Sequence, residues 1–165
     1  MALVFEVSLL QFVPPTVMTM NPKLLSFAGS PFVIVPAEMF EGPSLECVLL
    51  SYTLLQELPR VVANPSPWFY LMFLEGTNVS TFWSWMEPFV QYSSMVNKSF
   101  FTASGSRFCA ERDAIVAGNR TSFSITTAEP GVADLTSVMD VSTPEKLRFS
   151  QSAVLCERAL PFYFP

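Results

Sequence analysis

The chain has 165 residues and a net charge of −5, with 50% hydrophobic and 14% charged residues, 14 Pro, three Cys and no His. That composition fits one folded domain, residues 1–165, rather than a disordered tail. The absence of His excludes Ser-His and Cys-His catalytic pairs, His-bearing zinc sites and His-based pH switches.

At the N-terminus, MALVFEVSLLQFVPP is apolar but carries Glu6 and no basic residue before Lys23, so it lacks the basic start of a secretory leader and is expected to belong to the fold. Leu3, Phe5, Val7 and Leu9 alternate with Glu6 and Ser8, which reads as a strand. After Gly42-Pro43, Ser44 is placed to cap a helix near 45–57. Glu46 would lie in its first turn, Leu45, Val48, Leu49, Tyr52 and Leu55 recur at helical spacing, and Pro59 stops it. The rival reading is a strand with Val48, Leu50, Tyr52 and Leu54 on one face. Residues 67–74, PWFYLMFL, are continuously apolar and suit a central strand covered on both faces.

Trp83 and Trp85 in FWSW read first as core between two sheets, because large aromatics are usually mostly buried. Exposed on one strand face, they would instead form a platform for a sugar ring or another protein, beside Pro88, Phe89 and Tyr92. Gly118-Asn119 reads as the turn of a hairpin between 108–117 and 120–127, with Ala114, Val116, Phe123 and Ile125 on the buried face. Leu147, Phe149, Gln151, Ala153 and Leu155 alternate as a further strand.

Pro and Gly punctuate the chain at short intervals, and no repeat period is read from it. The expected fold is therefore all-β: an antiparallel β-sandwich, jelly-roll-like, with one short helix near 45–57. Cys47, Cys109 and Cys156 are odd in number and widely spaced, so they are expected to be reduced and buried. Asn78, Asn97 and Asn119 each head a glycosylation sequon that would matter only if the chain is secreted.

Catalytic templates fit poorly. Ser142 with Lys146 falls in an ordinary turn sequence, VSTPEK, and neither a GxSxG motif nor a phosphate-binding loop is present. Glu75, Glu87, Glu111 and Asp113 read as solvated charges rather than a glycosidase pair. Asp134, Asp140 and Glu129 lack calcium-loop spacing. No enzyme, cofactor or metal is expected.

The basic residues are scattered without a patch, so no nucleic-acid binding is expected, and the apolar stretches are too short to span a membrane. Low charge, few Lys, and many Met and aromatic residues suit a surface covered by neighbours. The leading expectation is a non-enzymatic structural subunit of a larger assembly, such as a capsid-like shell, a fibre or an organellar complex, with copies of itself or other subunits as partners. Phe162, Tyr163, Phe164, Trp83 and Trp85 are its candidate interface. The alternative is an extracellular β-sandwich module that contacts glycan or protein through the aromatic platform.

Overall fold

Apolar residues two positions apart, followed three positions later by a hydroxyl and two later by another apolar residue, recur along the chain. The sets are Leu3, Phe5, Ser8 and Leu10; Leu25, Phe27, Ser30 and Phe32; Val48, Leu50, Thr53 and Leu55; Met72, Leu74, Thr77 and Val79; and Phe101, Ala103, Ser106 and Phe108. The computed structural model, which describes residues 1–96, 101–124, 131–136 and 143–157, stacks these sets on one another. Each begins with a short strand: β1 Ala2–Val4, β2 Leu24–Ser26, β3 Cys47–Leu49, β4 Leu71–Phe73 and β5 Phe101–Thr102, followed by β6 Val154–Leu155. The six strands form one sheet in chain order, and every pairing is parallel.

Consecutive neighbours in chain order make this a coil that advances one strand per turn. Ala2 pairs with Leu24, Leu24 with Cys47, and Cys47 with Leu71, so the first turns are 22, 23 and 24 residues long. The later turns are longer, with Met72 beside Phe101 and Phe101 beside Val154. Among the described residues four helices lie in the connections: α1 Pro15–Thr19, α2 Glu87–Met95, α3 Arg107–Val116 and α4 Pro144–Ala153. Short 3-10 turns at Ala37–Phe40 and Ser84–Met86 complete the return paths.

Inside the coil the apolar sets form continuous columns. Leu25, Val48, Met72, Phe101 and Val154 are buried in one, and Phe27, Leu50, Leu74 and Ala103 in the next. Phe5 stacks on Phe27 with ring centroids 5.3 Å apart, and Phe27 meets Phe32 edge-on at 5.6 Å. A smaller cluster of Cys47, Leu49 and Phe73, with Leu24 and Leu71, occupies the opposite face of the sheet.

Where each strand ends, the backbone turns through positive φ at Val7, Gly29, Tyr52, Gly76 and Gly105. The hydroxyl residue that follows fixes the corner. Thr53 Oγ1 donates to Leu50 O at 2.7 Å, Thr77 Oγ1 to Leu74 O at 2.8 Å, and Ser30 Oγ to Phe5 O at 3.1 Å. Ser and Thr serve here because a short hydroxyl can bond a nearby carbonyl as the chain leaves the strand.

This architecture overturns the antiparallel β-sandwich. Gly29, Gly76 and Gly105 mark corners of a coil, while Pro15, Pro88 and Pro144 open helices and Gly118 follows one, rather than making hairpin turns, and parallel neighbours require the long connections observed. The jelly-roll likeness falls with it, and so does the capsid or virion subunit it suggested. A repeat is present that the sequence reading did not find.

Residues 45–57 are not helical. Cys47–Leu49 is β3, Val48 and Leu50 point into the core, and Tyr52 turns outward at φ 59°. Gly118-Asn119 is likewise no hairpin. Ser106 caps α3 by accepting from Cys109 N, and Gly118, at φ 75°, lies just past its end. Val116 is exposed, Phe123 is buried against Phe108, and Ile125 lies outside the described residues. The alternation at 147–155 belongs mostly to α4, which Thr143 caps at Lys146 N and Pro144 opens. Residues 67–74 do supply a central strand, β4, between β3 and β5.

The expectation of three reduced cysteines is also overturned. Stacking of β6 on β5 brings Cys156 beside α3, and Cys109 and Cys156 form a disulfide with Cα atoms 5.6 Å apart. Only Cys47 is free, and burial pushes its thiol up to about 12, so it is inert as a nucleophile near neutral pH. Among the described residues no helix is long and apolar enough to cross a membrane.

Candidate functional site

The approach to β4 and the start of α2 together form an aromatic cleft. Ser66 sets up one wall: its hydroxyl donates to Leu45 O at 2.8 Å, and its backbone N–H donates to Phe40 O at 2.8 Å. From this anchored turn the side chains alternate. Phe69 enters the core, against Phe40 at 5.7 Å and Phe89 at 5.4 Å, while Trp68 and Tyr70 face outward.

The second wall is α2, where Pro88 fits the first turn without loss of a helix hydrogen bond. Phe89 and Tyr92 lie one turn apart and share a face. Pro67, Trp68, Phe69, Tyr70, Pro88, Phe89 and Tyr92 enclose about 540 Å³. Trp68 is 66% exposed, Tyr92 54% and Tyr70 41%, so the aromatic faces are open to solvent. The volume falls in the range of small-molecule and peptide sites.

Trp68 also walls a polar crevice of about 210 Å³ shared with Lys23, Ser44 and Glu46. Lys23 Nζ donates to Glu46 Oε1 at 2.8 Å, and that hydrogen bond, with the Glu46 charge, raises the Lys23 pKa. A lysine held in the charged state is not an amine nucleophile near neutral pH. What the cleft offers is stacking area with a charged corner.

The expected platform lies elsewhere in the fold. Trp83 and Trp85 are buried, the reading the sequence favoured, with Trp83 Nε1 donating to Leu58 O at 3.1 Å and Trp85 Nε1 to Pro59 O at 2.7 Å. Trp85 stands behind the cleft as support, because it packs on Phe69 at 6.5 Å. Sequence reasoning named Pro88, Phe89 and Tyr92 as neighbours but read Trp68 and Tyr70 as strand core. The signal that could have found them is the anchoring Ser66 just before an alternating Trp-Phe-Tyr.

Phe162, Tyr163 and Phe164 lie outside the described residues, as does Asn97. Asn78 and Asn119 are both exposed. Ser142, Asp140 and Glu129 are outside the described residues too, and Asp134 accepts from Thr136 N at 2.8 Å.

The four carboxylates weighed for catalysis are engaged separately. Glu75 is buried on the sheet face away from the main core and accepts from the hydroxyls of Ser51 and Thr102. Glu87 accepts from Gln91 Nε2 at 2.9 Å, and Asp113 pairs with Arg112 at 3.2 Å. Glu111 gathers Ser124 N and Oγ, both at 2.7 Å, and Arg107 Nε at 2.9 Å. Burial opposes its charge, but the bonds from Ser124 and Arg107 and the charge of Arg120 outweigh it and hold the carboxyl below its ordinary value. Among the described residues no group of three or more metal-binding side chains gathers. Comparison with protein-family models, with curated proteins and with solved structures gives no match to this chain.

Proposed function

We propose that the protein is a non-enzymatic binding module, working in an oxidising compartment, that holds an apolar or aromatic stretch of a partner protein in the cleft of Trp68, Tyr70, Phe89 and Tyr92. The observation that carries this reading is the exposure of three large aromatic side chains around one cleft. Exposed Trp and Tyr with an apolar body and a polar tip are the residues from which binding surfaces are built. The Cys109–Cys156 disulfide supports the compartment, because such bonds persist where the surroundings are oxidising.

The scaffold supports it as well. One short parallel strand per turn of 22 to 24 residues, with the spacing L-x-x-L-x-L-x-x-[ST]-x-L visible at Leu45, Val48, Leu50, Thr53 and Leu55, resembles leucine-rich repeats. Coiled arrays of that kind commonly serve as extended binding surfaces, and this support is analogy at the level of fold.

A second reading, a subunit of a larger assembly, draws on the first coil, where Val7 is 83% and Leu9 94% exposed. A neighbouring chain would cover that edge.

The test is to present the full chain and its Trp68→Ala/Tyr92→Ala variant to an array of apolar and proline-rich peptides and to a glycan array. The expected result is peptide binding that the variant loses while its unfolding temperature stays unchanged. Binding that persists in the variant, or no peptide bound at all, overturns the reading, and a response confined to the glycan array replaces protein by sugar as the partner.

A further inference from the structure

We propose that Asn119 is an N-glycosylation acceptor in the folded protein, whereas Asn78 can accept a glycan only before the chain folds. This rests on the oxidising compartment inferred above and not on the aromatic cleft. Both residues head sequons, Asn78-Val79-Ser80 and Asn119-Arg120-Thr121, and both are exposed. What separates them is the structure on either side.

Residues 117–122 are all exposed, in the short stretch that follows α3. Ala117 N and Gly118 N close the end of the helix on Asp113 O and Ile115 O, and the sequon itself adds two backbone bonds to it, Asn119 N to Ala114 O at 2.8 Å and Arg120 N to Ala114 O at 3.2 Å. Lifting Asn119-Arg120-Thr121 into an extended conformation breaks those bonds and exposes no core. Beyond the sequon the chain is tied down again, because Ser124 N and Oγ both bond Glu111; within it, the exposed Arg120 side chain reaches that carboxylate at 3.5 Å and Ser124 Oγ at 3.1 Å, contacts a long side chain can keep or release as its backbone moves. The sequon is thus a short exposed bow between two anchored points, the kind of segment that opens locally at low free energy.

Asn78 occupies the opposite situation. Thr77, Val79 and Ser80 are buried around it, and Val79 belongs to the apolar column of the coil. Thr77 Oγ1 bonds Leu74 O, and Asn78 N bonds Leu55 O at 2.9 Å. Presenting the Ser80 hydroxyl together with the Asn78 carboxamide to an enzyme requires pulling Val79 from the core. Its modification is therefore coupled to unfolding of the coil.

The co-substrate class is an oligosaccharide carried on a polyprenyl diphosphate. The Asn119 carboxamide nitrogen bonds to the anomeric carbon, the bond from that carbon to the diphosphate oxygen breaks, the nitrogen gives up one proton, and the lipid diphosphate leaves. No atom changes oxidation state through an external oxidant or reductant.

The experiment uses the full oxidised chain carrying Asn97→Gln, so that the third sequon is silent, with a single-subunit oligosaccharyltransferase, a polyprenyl-diphosphate oligosaccharide and a sequon peptide as a positive control. Site occupancy is read by peptide mass spectrometry on folded protein and on protein reduced and unfolded beforehand. The expected result is a preference for Asn119 over Asn78 of at least about tenfold in the folded chain, collapsing to within a few fold after unfolding. No modification of Asn119 in the folded chain while the control peptide is consumed overturns the proposal. So does equal occupancy of both sites in the folded chain, and so does a preference that survives unfolding, which would belong to the sequon sequences and not to the fold.

Discussion

The first four coils and the part of the chain that follows them solve the same problem differently. From β1 to β4 each turn repeats the last: an apolar pair, a positive-φ corner, a hydroxyl and an apolar anchor, all stacked in columns. After β4 the turns lengthen: β5 still opens with the repeated set and its Gly105 corner, but α2, α3 and α4 fill the connections, and a disulfide and an ion-pair cluster around Glu111 join segments that do not repeat. Repetition makes each coil a template for its neighbour, so nearest-neighbour packing alone can hold the first region. A longer, irregular turn has more chain entropy to restrain, and cross-links restrain it.

Removing one column member tests the first region most severely. Phe27→Ala deletes a ring that is fully buried and touches both Phe5 and Phe32, with an expected loss of about 3 to 5 kcal/mol in denaturant unfolding. A loss under about 1 kcal/mol would mean that the columns do not carry the first region.

Cys109→Ser with Cys156→Ser addresses the second region. The bridge spans 47 residues, and chain-entropy reasoning puts its contribution at about 4 kcal/mol. Hydrogen exchange should accelerate in α3 and β6 while β2 and β3 keep their protection. Uniform acceleration across the sheet would erase the distinction between the regions.

Two glycines with similar φ sharpen the comparison at a smaller scale. At Gly76, φ 65°, an added Cβ would lie 2.7 Å from the Tyr52 ring of the previous coil, whereas at Gly118, φ 75°, it meets nothing within 4 Å. Gly118→Ala is expected to cost about 1 kcal/mol of backbone strain, and Gly76→Ala about 1 to 2 kcal/mol more, because the neighbouring ring must move. Equal effects in thermal unfolding would show that coil-to-coil contact at Tyr52 is loose.

The smallest effect is expected from Glu111→Gln. Because the folded carboxyl titrates below its ordinary value of 4.5, its contribution is present above that pH and is lost as pH falls through the lower folded value. The substitution should flatten the acid limb of the stability curve and leave its alkaline side unchanged. An unaltered acid limb would remove Glu111 from the group of restraints in the second region.

Much of the repeat was present in the residues and was obscured by their variety. Leu, Val, Met and Phe share the column headed by Leu3, and Ser and Thr share the corner, so the period is visible as residue class and not as identity. The continuous apolar run at 67–74 did announce a central strand, because that pattern requires no knowledge of partners, but only Leu71–Phe73 form it, and Trp68 and Tyr70 of the same run face solvent. The cleft was half legible: Pro88, Phe89 and Tyr92 stood out, but whether Trp68 and Tyr70 or Trp83 and Trp85 faced solvent depended on which side of the coil each return path placed them.

By itself, the sequence determined a chain low in charge and rich in aromatics, the absence of His chemistry and a central strand within residues 67–74, of which Leu71–Phe73 form β4. These follow from composition and local pattern. The tertiary structure decided that the strands run parallel, that Gly118 ends a helix rather than making a hairpin, that Cys109 meets Cys156, and that Trp68 lies outside while Trp83 lies inside. Each of those depends on which residues of one coil stack on the next, a relation between positions 22 or more residues apart that local propensity does not encode.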